Sequence, residues 1–182
     1  MRDVSERVSE IRALDPERLI AVLAANRVRY VLIGALSARM QGFPRFTAGA
    51  DITPARDDEN LEHLASALHE LEARVYTESV PEGLAFDFTA SALSRAEMWN
   101  LVTSAGRLDI AFMPSGTTGY DDLVRGAVHY DVNGVLLQVA RLEDIIRSKI
   151  AADRPQDRQD VAVMREMLER RTDTIPKPVS ET

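Results

Sequence analysis

The chain has 182 residues, with 22 Lys and Arg against 29 Asp and Glu, for a formal net charge of −7. Hydrophobic residues make up 45% and charged residues 28%, the balance of a globular domain long enough to bury a core of its own. There is no cysteine, which excludes disulfide frameworks, thiolate metal sites and cysteine nucleophiles. No apolar run approaches the ~20 residues of a membrane span. Met1 to Glu10 lacks the apolar stretch of a signal peptide, so a cytoplasmic protein with no membrane partner is expected. The acidic balance weighs against a broad nucleic-acid surface but leaves room for a local basic face.

Val4, Val8 and Ile11 suggest a first helical stretch. A clearer helix follows, with Asp15 as cap, Pro16 at the first position, Leu19, Ile20 and Leu23 on one face, and Asn26 as stop. Val28 to Ile33 reads as a buried strand ending at Gly34. A short helix through Leu36 and Met40 and a turn at Phe43-Pro44-Arg45 come next. Phe46 to Thr53 is a second candidate strand, closed by Pro54. Asp57 or Asp58 opens a long helix carrying Leu61, Leu64, Leu68 and Leu71.

The middle of the chain leans toward β-structure. Arg74 to Thr77 and Leu84 to Phe88 are candidate strands around a Pro81-Glu82-Gly83 turn, and Glu97 to Thr103 is ambiguous. Arg107 to Phe112 is a strong strand, stopped by Pro114 and Gly116. Asp121 to Gly126 looks helical. Val128 to Val132 and Val135 to Val139 flank Asn133-Gly134, a strong hairpin signal. Two helices close the pattern, Leu142 to Ala152 and Pro155 to Arg171. The expected class is α+β, a mixed sheet with packed helices and a C-terminal helical pair. One domain is expected over residues 1–171, with N-terminal helices in 1–26, a sheet core in 28–140, C-terminal helices in 141–171, and a flexible tail in 172–182.

Three features could carry chemistry. Gly34 ends a buried strand ahead of Arg45 to Asp51. Asp109 interrupts an apolar strand, where a charge is costly unless paired or bound to metal. By pattern alone Asp109 is the wet-face acid of an alternating strand, sharing that face with Arg107. Asp51 alone is a strand-end acid. Together the two aspartates could line one sheet end and hold Mg²⁺, which prefers hard oxygen ligands. The third feature is Lys149, Arg154, Asp157 and Asp160 across the C-terminal helices. Of the 22 basic residues only Lys149 and Lys177 are lysines, so a lysine kept inside a helix stands out.

Tyr30-Val-Leu-Ile-Gly-Ala-Leu-Ser, then Gly42-Phe-Pro-Arg-Phe-Thr and Asp51-Ile, resembles the nucleotidyltransferase fold of the AbiEii-like toxins, including the mycobacterial MenT group. Arg107-Leu-Asp-Ile resembles that family's third-carboxylate strand, and Val139 to Val161 its C-terminal block. The likeness spans roughly Tyr30 to Leu168. It implies Asp51 and Asp109 as metal ligands, with Asp109 also able to accept the proton of the attacking hydroxyl. It implies Gly34 and Thr47 as lining of a triphosphate pocket, Lys149 against the nucleotide, and Arg154, Asp157 and Asp160 in support. The catalytic set is then Asp51, Asp109, Lys149 and Asp160; the nucleotide-binding set is Gly34, Thr47, Lys149 and Arg154. The implied activity is that of a toxin of a toxin–antitoxin system. It is a nucleotidyltransferase of the EC 2.7.7 type that moves nucleotides from NTP to RNA, by resemblance a tRNA 3′ end, with Mg²⁺ as cofactor and a cognate antitoxin protein as partner.

The pattern departs from the family at two places. In Arg-x-Thr-x-Asp-x-Asp the first Asp falls at position 49, where this chain has Gly49; positions 49 and 51 share a strand face, so one ligand is lost and activity should be impaired or absent. Gly34-Ala35 replaces the commoner Gly-Gly or Gly-Ser. Gly49 fits either divergence toward a non-catalytic protein or an inactivating substitution, and the retained Asp51, Asp109, Lys149 and Asp160 favour the second. Two other functions stay open: a non-catalytic nucleotide- or partner-binding protein, and a small-molecule nucleotidyltransferase of the aminoglycoside-modifying kind. An RNA substrate would need arginines on one face, with Arg39, Arg45, Arg147 and Arg154 as candidates. His63, His69 and His129 lack metal-ligand spacing and are read as surface residues. Trp99 is read as core or groove wall.

Overall fold

A computed structural model describes residues 12–173 of the chain. The helical stretch expected at Val4 to Ile11 lies outside these residues. In chain order the elements are α1 (Pro16–Ala25), β1 (Tyr30–Ile33), α2 (Gly34–Met40), β2 (Gly49–Pro54), α3 (Asp58–Glu70), β3 (Arg74–Thr77), β4 (Val80–Leu84), α4 (Ala90–Leu93), β5 (Met98–Thr103), β6 (Gly106–Ala111), α5 (Tyr120–Val124), β7 (Val128–Val132), β8 (Val135–Val139), α6 (Leu142–Ala152) and α7 (Pro155–Asp173). The strands form one mixed sheet in the order β4-β3-β5-β6-β2-β1-β8-β7. The expected α+β class, with a mixed sheet, packed helices and a C-terminal helical pair, is the observed one. Among the described residues no helix is long and apolar enough to cross a membrane.

Strand alternation decides what each face of the sheet receives. Leu32, Ala50, Ile52, Leu108 and Ile110 pack into a core shared with Leu19 and Leu23 of α1 and Leu61, Leu64 and Leu68 of α3. The intervening residues turn the other way. Val31 joins a second core with Ala38 of α2, Leu123 of α5, Ile145 and Ile146 of α6, and Val161 and Met164 of α7. β6 is buried at alternate positions, so Leu108 and Ile110 are sealed while Arg107 and Asp109 share the opposite face.

A few polar groups fix the elements on the two faces. Asn60 is fully buried and works as a clip: its Oδ1 accepts from the Arg29 N–H at 2.7 Å, and its Nδ2 donates to the carbonyls of Arg29 and Ala55 at 3.0 and 2.7 Å. It ties the start of α3 to the residues just before β1 and just after β2. On α2, Ser37 Oγ and Gln41 Nε2 both donate to the Ala140 carbonyl, at 2.9 and 2.8 Å, holding this helix against the turn between β8 and α6. Asp15 caps α1 by accepting from the Arg18 N–H at 3.0 Å, as expected.

Two expected boundaries move. The strand expected at Leu84 to Phe88 is instead Val80–Leu84 and runs through Pro81-Glu82-Gly83. β4 is the sheet edge, where a proline need donate no ladder hydrogen bond, and the register shifts between Val75 and Thr77. Phe86 and Phe88 leave the sheet and form a cluster of tilted rings with Trp99, at centroid distances of 5.0 to 5.8 Å among the three. β2 begins at Gly49 rather than Phe46, because Thr47 Oγ1 turns back to donate to the Gly49 carbonyl at 2.6 Å. α4 was not signalled in the sequence; at four residues it is too short to show a period, and the Thr89 hydroxyl caps it. α7 extends to Asp173, two residues past the expected end.

Candidate functional site

On the face toward α2, α5 and α6, the register of four strands aligns four side chains in a row. Asp51 of β2 lies opposite Ile33 of β1 and opposite Asp109 of β6, and Asp109 lies opposite Asn100 of β5. The two aspartates, 58 positions apart in sequence, are therefore direct cross-strand neighbours. They open into a cleft of about 270 Å³ lined also by Gly34, Asn100, Lys149 and Arg154. Met98 and Met113 line it too, and both stay more than half exposed.

Like charges placed side by side and partly buried resist ionisation. Burial first, then the neighbouring Asp109, push the Asp51 carboxyl up to about 6; Lys149, Arg107 and Arg154 pull against this. Burial also raises Asp109, opposed by Arg107. Asp109 Oδ1 is buried and accepts no hydrogen bond among the described residues; Arg107 Nη2 stands 4.0 Å away. An orphaned carboxylate oxygen inside a cleft is expensive and asks for a partner.

Gly34 takes part by having no side chain. Its φ is +67°, and a Cβ there would fall 2.3 Å from Asp51 Oδ2. The Asp51 carboxylate occupies the space over the first residue of α2 that any other residue would fill. That helix has seven residues, so its dipole adds little.

Lys149 reaches the cleft from α6. An αL turn at Asp153 (φ 45°) and Pro155 at the start of α7 reverse the chain sharply. The reversal lays Asp157 and Asp160 beside the ammonium, with Nζ 2.6 Å from Asp157 Oδ1 and 3.0 Å from Asp160 Oδ2. The other oxygen of Asp160 takes Arg45 Nη1 at 2.6 Å. Two of the three ammonium protons are thus committed to the helix pair.

The expected residues divide. Gly34, Asp51, Asp109, Lys149 and Arg154 meet in one cleft, with Asp157. Thr47 and Asp160 do not line it. The Thr47 hydroxyl is spent on the backbone of Gly49, and Thr47 faces a different cavity. Asp160 is buried behind Lys149 and acts as a positioning residue between it and Arg45. The arginines proposed as a basic face are also scattered in role: Arg45 is neutralised by Asp160 and Arg147 by Asp122 and Asp144, while Arg154 remains in the cleft. Sequence reasoning missed Asn100, Met98 and Met113. Strand parity opposite Asp109 is the signal that could have found Asn100.

Two carboxylates in register, one with an orphaned buried oxygen, fit a single hard divalent cation, since Mg²⁺ commonly takes one or two protein carboxylates and fills its shell with water and phosphate. They do not fit a pair of ions. Position 49 brings no donor, and among the described residues no group of three His, Asp or Glu is placed to hold a metal.

The raised Asp51 makes a pH prediction. The folded chain holds a proton on Asp51 up to about pH 6, whereas an unfolded chain releases it near its ordinary value of 3.8. The stability that this proton contributes is complete below the unfolded value and is lost as pH rises through about 6. Asp51→Asn, neutral at every pH, should therefore be more stable than the parent by on the order of 2–3 kcal/mol near pH 8 and no more stable near pH 4. Urea unfolding at both pH values measures this; a difference that does not change with pH would contradict it.

No family model matches the sequence, and no curated protein matches it. Among solved structures, the chain is similar to TM1012 of Thermotoga maritima, a candidate nucleotidyltransferase, at 15% identity and TM-score 0.48, covering 84% of this chain and 89% of that one. It is also similar to the antibiotic-resistance factor ANT(2'')-Ia, at 16% identity and TM-score 0.44, covering 86% of this chain and 92% of that one. The chemistry of the cleft has to be read from this chain's own residues.

Proposed function

We propose that the chain is a nucleotidyltransferase-type toxin that takes NTP with Mg²⁺ in the Asp51–Asp109 cleft and acts on an RNA acceptor, a tRNA 3′ end, with activity impaired by Gly49. The observation that carries this reading is the direct register of Asp51 and Asp109 in a cleft that also receives Gly34, Lys149 and Arg154. The resemblance of the Arg45 to Asp51 and Val139 to Val161 segments to AbiEii-like toxins supplies the toxin role, the RNA acceptor and a cognate antitoxin.

Asp51 and Asp109 would hold the ion, which when bound neutralises phosphate charge and favours departure of pyrophosphate. The chain's own groups do the remaining work. Arg154 pairs with phosphate oxygens. The remaining Lys149 proton points charge into the cleft. Met98 and Met113 offer apolar contact to a base. The Asp109 carboxylate, whose side chain is 34% exposed, accepts the proton of the acceptor hydroxyl as that oxygen bonds to the α-phosphorus and the bond to the leaving pyrophosphate breaks.

The test offers α-labelled NTP and Mg²⁺ with total tRNA in one arm and small aminoglycosides in another. Slow labelling of tRNA, abolished by Asp109→Asn, is expected. Labelling of aminoglycosides alone would replace the acceptor. A second reading has a specific observation behind it, the missing donor at Gly49: a non-catalytic protein that binds nucleotide. Tight NTP binding with no transfer in either the parent chain or Gly49→Asp would decide for it.

A further inference from the structure

Near the carboxylate cleft lies a second concavity of about 640 Å³, one of whose lining residues, Arg107, stands 4.0 Å from Asp109 of that cleft. Arg12, Arg39 and Arg107 line it with Leu36, Thr47 and Ala48, and among the described residues no acid does. That is unusual for a chain with seven more acids than bases, 29 against 22. Several other arginines are neutralised at close range. Arg29, Arg45 and Arg56 each hold a carboxylate at 2.6 Å, Arg147 at 2.8 Å and Arg141 at 3.0 Å. Among the described residues Arg12 and Arg39 have no carboxylate partner, and Arg107 stands 4.0 Å from Asp109.

What these arginines touch instead is aromatic or neutral. Arg39 lies over the Phe46 ring at 4.3 Å and Arg107 over the Tyr76 ring at 4.2 Å. Among the described residues Arg12 makes a long contact, 3.5 Å, with the Ser104 carbonyl. Phe46 is 84% exposed, the most open large apolar side chain among the described residues, on the loop that leads into β2. A bare phenylalanine backed by a guanidinium, next to a cavity and to cations with no close carboxylate among the described residues, is the chemistry of a single-stranded nucleic-acid groove. Cations take phosphates, and the ring stacks a base whatever its identity. A duplex keeps its bases stacked away and would leave the ring unused.

We propose that this concavity holds the single-stranded 3′ end of the RNA acceptor, with Arg12, Arg39 and Arg107 on its phosphates and Phe46 against a base. The proposal rests on an RNA acceptor and adds where that strand lies. Arg107 sits two residues before Asp109 on β6, so a strand held here ends beside the carboxylates.

The test is fluorescence anisotropy of the full chain with a labelled single-stranded RNA, without NTP or divalent ion. Three phosphate contacts predict log affinity falling with log salt at a slope of about −2. Phe46→Ala should weaken binding roughly 5- to 100-fold with the slope unchanged, and Arg12→Gln or Arg39→Gln should each flatten the slope by about 0.7. All three side chains are exposed, so the variants should fold, and circular dichroism melts check this. Salt-insensitive binding, wild-type affinity in Phe46→Ala and the arginine variants, equal affinity for duplex RNA, or equal affinity for polyglutamate would each overturn the proposal. The nucleotide reading fails separately, in a Mg²⁺-NTP titration that does not involve Phe46.

Discussion

Gly49→Asp is expected to raise nucleotide transfer to RNA by roughly 100-fold or more, equivalent to about 2.7 kcal/mol of transition-state stabilisation. The reason lies in the ladder. Gly49 pairs with Arg107 and stands two residues before Asp51 on the same strand face, so a carboxylate there joins the Asp51–Asp109 pair. The backbone raises no objection, because Gly49 does not lie in the left-handed region. Space does. A Cβ at 49 would come 2.9 Å from Arg107 Cβ and 3.2 Å from its carbonyl oxygen, so β2 and β6 must part by a few tenths of an ångström. Such crowding typically costs about 1–3 kcal/mol. The variant should therefore gain activity and growth inhibition while losing a few degrees of melting temperature. A folded Gly49→Asp chain with no gain in transfer would contradict the catalytic reading of the cleft.

Lys149→Met is expected to destabilise the fold by about 3–5 kcal/mol, because it strands carboxylates that have left water. The side chains of Asp157 and Asp160 are only 8% and 9% exposed, and Lys149 itself 17%. Asp160 would keep Arg45; Asp157 would keep no cation among the described residues. The damage should be local to α6 and α7 and should be largely recovered by adding Asp157→Asn, which removes the stranded charge. Urea unfolding of the single and double variants measures both effects. A loss under about 1 kcal/mol would place Lys149 with ordinary surface ion pairs instead. Because the same lysine faces the cleft, activity alone cannot separate its two roles, whereas the double variant restores the fold without restoring the charge.

Much of this site was legible because strand parity is a local property. The alternation in Leu108 to Phe112 alone puts Asp109 and Arg107 on one face, and Asn133-Gly134 marks its hairpin, where φ is positive at both residues. Which strands become neighbours is not local. That Asp51 faces Asp109 follows from β6 adding in parallel beside β2, and the sequence segments alone only allowed it. Thr47 illustrates the limit. Its motif position suggests a phosphate contact, but its hydroxyl is consumed within two residues by the Gly49 backbone. Asp160, a site residue by resemblance, lies behind Lys149, because the αL turn at Asp153 directs it onto that ammonium. The arginine-lined cavity was invisible, since Arg12, Arg39 and Arg107 come from three unconnected segments.

The most direct measurement of the central claim is Mn²⁺ binding followed by electron paramagnetic resonance, with the ion as a stand-in for Mg²⁺ and a non-hydrolysable NTP present. A cleft with two carboxylates and no third donor predicts one ion per chain, lost in Asp51→Asn and in Asp109→Asn. Binding that survives both substitutions, or no specific binding in the parent chain, would contradict it.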